Sequence, residues 1–298
     1  MERSLGVKDF KILTALEERV DEALTQREIA TAADLSVGTV NRAMADLHER
    51  GFVREGMLSA AGLEALEPYR VKRAVLIAAG FGSRLVPITL NTPKPLIRVQ
   101  GRRIIDSLLD AVYAAGIEEV YVVRGYLAEQ FDQLLYKYPG LKFIENPFYN
   151  EANNISSAVA AKDLLQNAYV FESDLLLYNP KLITKYQYSS NYLGVPVQVT
   201  DDWCFQTRRG VITGLSVGGT DCHHMFGISY WTEEDGRKLA DDVPATFAMP
   251  GGKERYWDEV ALRYFARNYE VVVRECTFDD VIDIDTYREL QELDKAYV

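Results

Sequence analysis

The chain has 298 residues, with 33 Lys and Arg against 44 Asp and Glu, for a formal net charge of −11. That acidity argues against a general nucleic-acid coat or a basic membrane-surface protein, and 48% hydrophobic with 26% charged residues is an ordinary globular composition, at a length suited to about two domains. No apolar run reaches the ~18 residues of a membrane span, and Met1-Glu2-Arg3-Ser4 lacks the basic start of a secretory signal. The expected location is cytoplasmic, with no membrane partner. Cys204, Cys222 and Cys276 are widely separated and form no CxxC pair, so neither a disulfide framework nor a zinc site is indicated.

Between residues 8 and 24, Phe10, Leu13, Leu16, Val20 and Leu24 recur at the three-to-four spacing of one helical face. Thr25-Gln-Arg-Glu28 reads as a capping box opening a short helix through Ala33, and Ser36 starts another that runs to Arg50 before Gly51 stops it. Residues 52–58 are short and extended around a Gly turn, and Ser59 caps a last helix through Leu66. Residues 1–70 thus resemble a winged helix-turn-helix domain. The resemblance implies DNA as a partner, with Thr39, Asn41 and Arg42 facing the major groove, and by analogy a homodimer on palindromic DNA. Against that stands the charge of this segment: nine Lys and Arg and thirteen Asp and Glu, a net of −4, where phosphate neutralisation supplies most non-specific affinity. A packing or dimerisation module is the competing reading.

Residues 71–298 form a second expected domain. Residues 71–79 are an apolar strand running into Gly80-Phe-Gly82-Ser-Arg84-Leu-Val-Pro87-Ile-Thr89 and then Asn91-Thr-Pro93-Lys94-Pro95. Glycines there let backbone N–H groups approach phosphates, and Arg84 and Lys94 follow at loop spacing to neutralise them. Neither a Walker GxxxxGK[ST] nor a complete GxGxxG is present. Helices over 104–115, 128–138 and 154–162 alternate with strands over 120–124, 142–145 and 168–171, which predicts an α/β domain: a Rossmann-like, mostly parallel sheet with ligands at the strand carboxyl ends.

Glu172-Ser-Asp174 follows a later strand, and Val281-Ile-Asp283-Ile-Asp285-Thr286 alternates apolar and acidic residues, setting Asp283 and Asp285 on one face. An isolated Asp at a strand end is often only a turn former. Two such ends converging could instead hold one hard cation, since Mg²⁺ takes a few carboxylates plus phosphate oxygens.

The string Ala78-Ala-Gly-Phe-Gly-Ser-Arg-Leu-Val-Pro, with Thr89 and Pro93-Lys94, resembles the signature of the sugar-phosphate and alkyl-phosphate nucleotidyltransferases over residues 73 to about 293. Val86 stands where many relatives have Arg, which implies one auxiliary phosphate contact fewer. The resemblance implies catalysis by Arg84, Lys94 and Asp174, with nucleotide contacts at Ala79, Gly80, Gly82 and Ser83. It also implies Mg²⁺ on Asp174 and Asp285. An acceptor oxygen then attacks the α-phosphorus in line and pyrophosphate leaves, with no protein nucleophile.

Residues 125–131, Asn146-Pro-Phe-Tyr149, Asn153-Asn154-Ile-Ser156-Ser157, Trp203, residues 227–231 and Tyr256-Trp257-Asp258 narrow the resemblance to the bacterial choline-phosphate cytidylyltransferases. It implies Gly125, Asn154 and Ser156 near the cytosine and ribose of CTP; on residue type alone the Asn and Ser run is a helix N-cap. A quaternary ammonium is recognised by aromatic faces at ~0.5–2 kcal/mol per contact. Tyr192, Trp203, Trp257 and Asp258 are therefore the acceptor residues, with phosphocholine as first choice. Phosphoethanolamine and 2-aminoethylphosphonate fit a slightly altered cage. His223-His224 on an extended segment point to opposite faces and are read as incidental. The alternatives are a sugar-1-phosphate nucleotidyltransferase and a transcriptional regulator sensing a nucleotide or choline metabolite; a pure sensor has no need of both metal carboxylates.

Overall fold

Side-chain capping sets three of the four helix starts of the N-terminal region in the computed structural model, which describes residues 5–19 and 23–298; the first helix starts after Gly6 without a side-chain cap. α1 spans Val7–Glu17, α2 Gln26–Ala33 and α3 Val37–Glu49, followed by the β1 (Val53–Arg54) and β2 (Met57–Leu58) hairpin and α4 (Ala60–Leu66). Thr25 Oγ1 accepts from Glu28 N–H while Glu28 accepts from Thr25 N–H, so the capping box is formed. Ser36 and Ser59 cap α3 and α4. α1 stops at Glu17 instead of continuing to 24: Leu24 reaches the core from the segment leading into α2, so its burial does not require helix. Val20 and residues 1–4 lie outside the described residues.

The chain divides into two units, Met1–Arg70 with Tyr186–Tyr188, and Val71–Lys185 with Ser189–Val298. The first is the helix-turn-helix with its wing, packed around Leu13, Ile29, Val40, Leu47 and Tyr69, and Tyr188 stacks on Tyr69 at 5.4 Å.

The second unit runs β3 (Arg73–Ile77), a β4 (Arg98–Val99) and β5 (Arg102–Arg103) hairpin, α5 (Ile104–Ala114), β6 (Glu119–Arg124), β7 (Lys142–Glu145), α6 (Ile155–Ala160), β8 (Ala168–Glu172) and β9 (Leu175–Leu177). After these come β10 (Asn191–Arg208), β11 (Val211–Trp231), α7 (Glu233–Phe247), β12 (Val272–Glu275), β13 (Val281–Asp283) and α8 (Tyr287–Leu293). Seven strands form one sheet in the order β10-β12-β11-β8-β3-β6-β7. β8, β3, β6 and β7 are parallel, and β11 runs antiparallel to β8. Val75, Leu76, Val122, Val123, Val170 and Phe171 are all buried, as a sheet covered on both faces requires. Residues 128–136 form 3₁₀ turns where an α-helix was expected, with the Ala128 carbonyl taken by the Arg124 guanidinium at 3.1 Å. Among the described residues no helix is long and apolar enough to cross a membrane.

Two pairings position everything that follows. Ile77 sits beside Glu172 in the β3–β8 register, so the glycine loop and the Glu172–Asp174 turn leave neighbouring strands at the same end. Asp283 pairs with Leu175 in the β9–β13 ribbon, and Ile284 N–H donates to the Asp174 carbonyl, which carries Asp285 back beside Asp174.

Candidate active site

The glycine loop turns at Gly82, whose φ of 61° is left-handed; a Cβ there would also lie 3.0 Å from both Lys94 Cβ and Thr89 Cγ2. Thr89 Oγ1 donates to the Gly82 carbonyl at 2.9 Å and holds the turn. Lys94, between Pro93 and Pro95, is buried, and its Nζ donates to Asp174 Oδ2 and Asp285 Oδ1, both at 2.9 Å. Burial works against its charge, but the two carboxylates outweigh it and hold the ammonium above the usual lysine range. Arg84 donates to Asp285 Oδ1 from the solvent side at 2.9 Å.

These groups line a cleft of about 530 Å³ together with Gly80, Ser83, Asn154, Glu172, Asp202, Trp203, Met225, Gly227, Tyr256, Asp258 and Asp283. Its six carboxylates face two basic side chains, so the cleft is short of positive charge. Burial pushes the carboxyls of Glu172 and Asp283 well above the usual range, and neighbouring acids push them further. Burial likewise raises Asp258 to about 7 in spite of the hydrogen bond it accepts from Tyr192 Oη at 2.5 Å.

The cleft contains most of the anticipated residues and leaves out five. Tyr192 and Trp257 are core residues, packed with Trp231, Phe205 and Val243, and offer no face to a ligand. The aromatic wall is instead Trp203 with Tyr256, edge to face at 5.4 Å. Ser156 is buried, donating to the Asn153 carbonyl and accepting from Asn146, which makes it a structural residue. Gly125 lies under Tyr149, where a Cβ would come within 2.5 Å of the Tyr149 Cβ. Ala79 does not line the cleft, and its carbonyl accepts from Tyr126 N–H. Asn154 occupies the first position before α6 without capping it: its Oδ1 accepts from Trp257 N–H and its Nδ2 donates to Glu172, both at 2.9 Å. Glu172 lines the cleft although sequence reasoning gave it no role.

Residues 73–191 match the nucleotidyl transferase family and residues 7–54 the winged helix-turn-helix DNA-binding family. Over 229 residues the chain is 34% identical to 2-aminoethylphosphonate cytidylyltransferase of Lancefieldella rimae, covering 76% of this chain and 93% of that protein. The chain belongs to the nucleotidyltransferase family. The enzyme is of the cytidylyltransferase kind: it is also 28% identical over 225 residues to choline-phosphate cytidylyltransferase of Streptococcus pneumoniae, across 74% of this chain and 97% of the relative. The solved CTP:phosphocholine cytidylyltransferase from Streptococcus pneumoniae superposes with a TM-score of 0.70 at 27% identity, covering 77% of this chain and all of that one.

Enzymes of this family commonly work with a divalent cation. Among the described residues no group of three or more His, Cys, Asp and Glu side chains is arranged around one point as a metal cage. Mg²⁺ needs no such cage, because it keeps waters and phosphate oxygens and takes one or two carboxylates. Asp174 and Asp285 meet that requirement, sharing one cation already in the Lys94 ammonium, and Asp174 Oδ1 is buried with no hydrogen-bond partner among the described residues.

Proposed function

We propose that the enzyme transfers CMP from CTP to a primary aminoalkyl phosphonate, with 2-aminoethylphosphonate the acceptor it serves best. The observation carrying this reading is the cleft's composition: acids outnumber aromatic faces. A trimethylammonium is held by several ring faces, since it has no N–H to donate. Here Tyr192 and Trp257 are withdrawn into the core, leaving Trp203 and Tyr256 against Glu172, Asp202 and Asp258. A primary ammonium, with three donors, suits that wall better than phosphocholine does. The similarity to the Lancefieldella rimae enzyme supports the same choice.

In this reading the backbone of residues 80–83 cradles the triphosphate, and Lys94 and Arg84 carry charge to the α-phosphate and the departing pyrophosphate. A divalent cation bound by Asp174 and Asp285 would supply further positive charge to the phosphate oxygens. The phosphonate oxygen attacks the α-phosphorus, the new P–O bond forms, the α–β bridging bond breaks, and pyrophosphate leaves with the electron pair. No side chain becomes covalently attached. Turnover with CTP and Mg²⁺ on 2-aminoethylphosphonate, phosphoethanolamine, phosphocholine and glucose-1-phosphate tests the assignment: the highest kcat/KM is expected with the aminophosphonate, and a preference for phosphocholine or the sugar would refute it.

We infer in addition that residues 1–70 bind DNA through the exposed start of α3. Asn41 and Arg42 are exposed there, although Asn41 already accepts from Gln26 and Arg42 Nε is turned back onto the Gly38 carbonyl, while Thr39 is half-buried with its hydroxyl paired to Ser36 at 2.8 Å.

A further inference from the structure

Glu172 ends β8 with its carboxylate in the floor of the cleft, apart from the Asp174–Lys94–Asp285 cluster. Three features aim it. Its Oε1 accepts from Asn154 Nδ2 at 2.9 Å, and Asn154 cannot present its oxygen instead because that oxygen accepts from Trp257 N–H. One step beyond the Ile228–Phe171 pair of β11 and β8, Gly227 leaves room for the side chain; a Cβ there would lie 2.5 Å from Glu172 Cγ and 2.6 Å from Oε2. Oε2 has no hydrogen-bond donor among the described residues, and Asp258 lines the same cavity. A half-buried carboxyl with one neutral donor and acidic neighbours holds its charge poorly until a cation arrives to pair with it.

We propose that Glu172 is the residue by which the cleft selects a primary ammonium over a quaternary one. This rests on the aminophosphonate reading, in which the acceptor's cationic end lies beside Trp203, Tyr256 and Asp258. A primary ammonium donates to Glu172 Oε2 and completes its hydrogen bonding. A trimethylammonium has no N–H, so its methyl groups would cover the carboxylate and leave it buried and unpaired. Sites built to bond a substrate N–H discriminate strongly against analogues that lack it, whereas aromatic contacts alone serve both kinds of cation.

The test is kcat/KM for 2-aminoethylphosphonate and for phosphocholine, at saturating CTP and Mg²⁺, in the wild-type enzyme, Glu172→Gln and Gly227→Ala. Glu172→Gln keeps the shape and the Asn154 contact side but removes the charge, so it is expected to lower kcat/KM for the aminophosphonate ~100-fold, mostly through KM, while phosphocholine changes less than about 3-fold. Gly227→Ala, which displaces Glu172 without altering its chemistry, should shift the ratio the same way. Calorimetric binding of 2-aminoethylphosphonate in the presence of a non-hydrolysable CTP analogue should weaken in parallel, whereas affinity for the analogue itself should stay within about twofold, since Glu172 bonds Asn154 and none of the glycine-loop groups assigned to the triphosphate. An amine-to-quaternary ratio unchanged in both variants, with a wild-type enzyme that prefers the aminophosphonate, would overturn the role of Glu172 alone. A wild-type preference for phosphocholine would overturn the acceptor reading and Glu172 with it.

Discussion

Lys94 is held by two carboxylates at 2.9 Å, which makes it the counter-ion for Asp174 and Asp285, and in the proposed mechanism it turns to the phosphates. Replacing it by Met removes charge from the reacting phosphates, so kcat/KM is expected to fall by at least ~10³-fold. The same change leaves the carboxylate pair without its internal cation, and Mn²⁺ binding to the nucleotide-free protein, followed by electron paramagnetic resonance, should tighten. Unchanged Mn²⁺ affinity would mean that Lys94 does not compete with the cation for Asp174 and Asp285. Asp258 gives a pH prediction. Burial raises its carboxyl to about 7 in the folded chain, so between the ordinary carboxylate range and that value the folded state binds more protons than the unfolded state. Its contribution to stability is therefore full below about pH 4 and is lost as pH rises to 7, at a slope of up to ~1.4 kcal/mol per pH unit. Asp258→Asn should flatten that part of the stability profile in urea titrations, and an unaltered slope would remove Asp258 as its source.

At the scale of elements, the site depends on loops leaving the carboxyl ends of β3 and β8 and on the short β9–β13 ribbon. Much of this was legible in advance. The glycine loop is contiguous, its strand is a run of apolar residues, and the alternation through Asp283 and Asp285 marks an extended segment, so Arg84, Lys94, Asp174 and Asp285 could be grouped before any coordinates. Adjacent aromatics were harder. Tyr256 and Trp257 are neighbours in a loop with no period, and only packing decides that Trp257 turns inward against Tyr192 and Trp231 while Tyr256 meets Trp203. Asn154 was obscured for a related reason, because an Asn before a helix resembles a cap until its partners, Glu172 and Trp257, are found about 20 and 100 residues away. The turn at Gly82 yields an element-scale prediction. Gly82→Ala places a side chain at a left-handed φ, costing about 1–2 kcal/mol, and crowds Lys94 and Thr89. A fall in Tm of roughly 2–8 °C is expected together with weaker CTP binding. Wild-type CTP affinity in this variant would show that the loop's shape is not what receives the nucleotide.

For the whole molecule, a net charge of −11 coexists in the proposed reading with a reaction among polyanions, a conflict that Lys94, Arg84 and the backbone of the glycine loop would resolve locally. The same acidity in residues 1–70 means that any DNA affinity comes from a few oriented contacts more than from bulk charge. Arg42→Ala should therefore weaken retention of a specific DNA duplex at least ~10-fold in gel-shift titrations while leaving pyrophosphate release unchanged. Equal retention by variant and parent would exclude Arg42 as a base contact. The account as a whole turns on the acceptor, and one competition experiment addresses it most directly. The enzyme is given CTP, Mg²⁺ and equal concentrations of 2-aminoethylphosphonate and phosphocholine, and the products are followed by ³¹P nuclear magnetic resonance. The account predicts that the first new signals besides pyrophosphate are the coupled pair of a phosphonate–phosphate anhydride, whereas early appearance of the diphosphate of CDP-choline would contradict it.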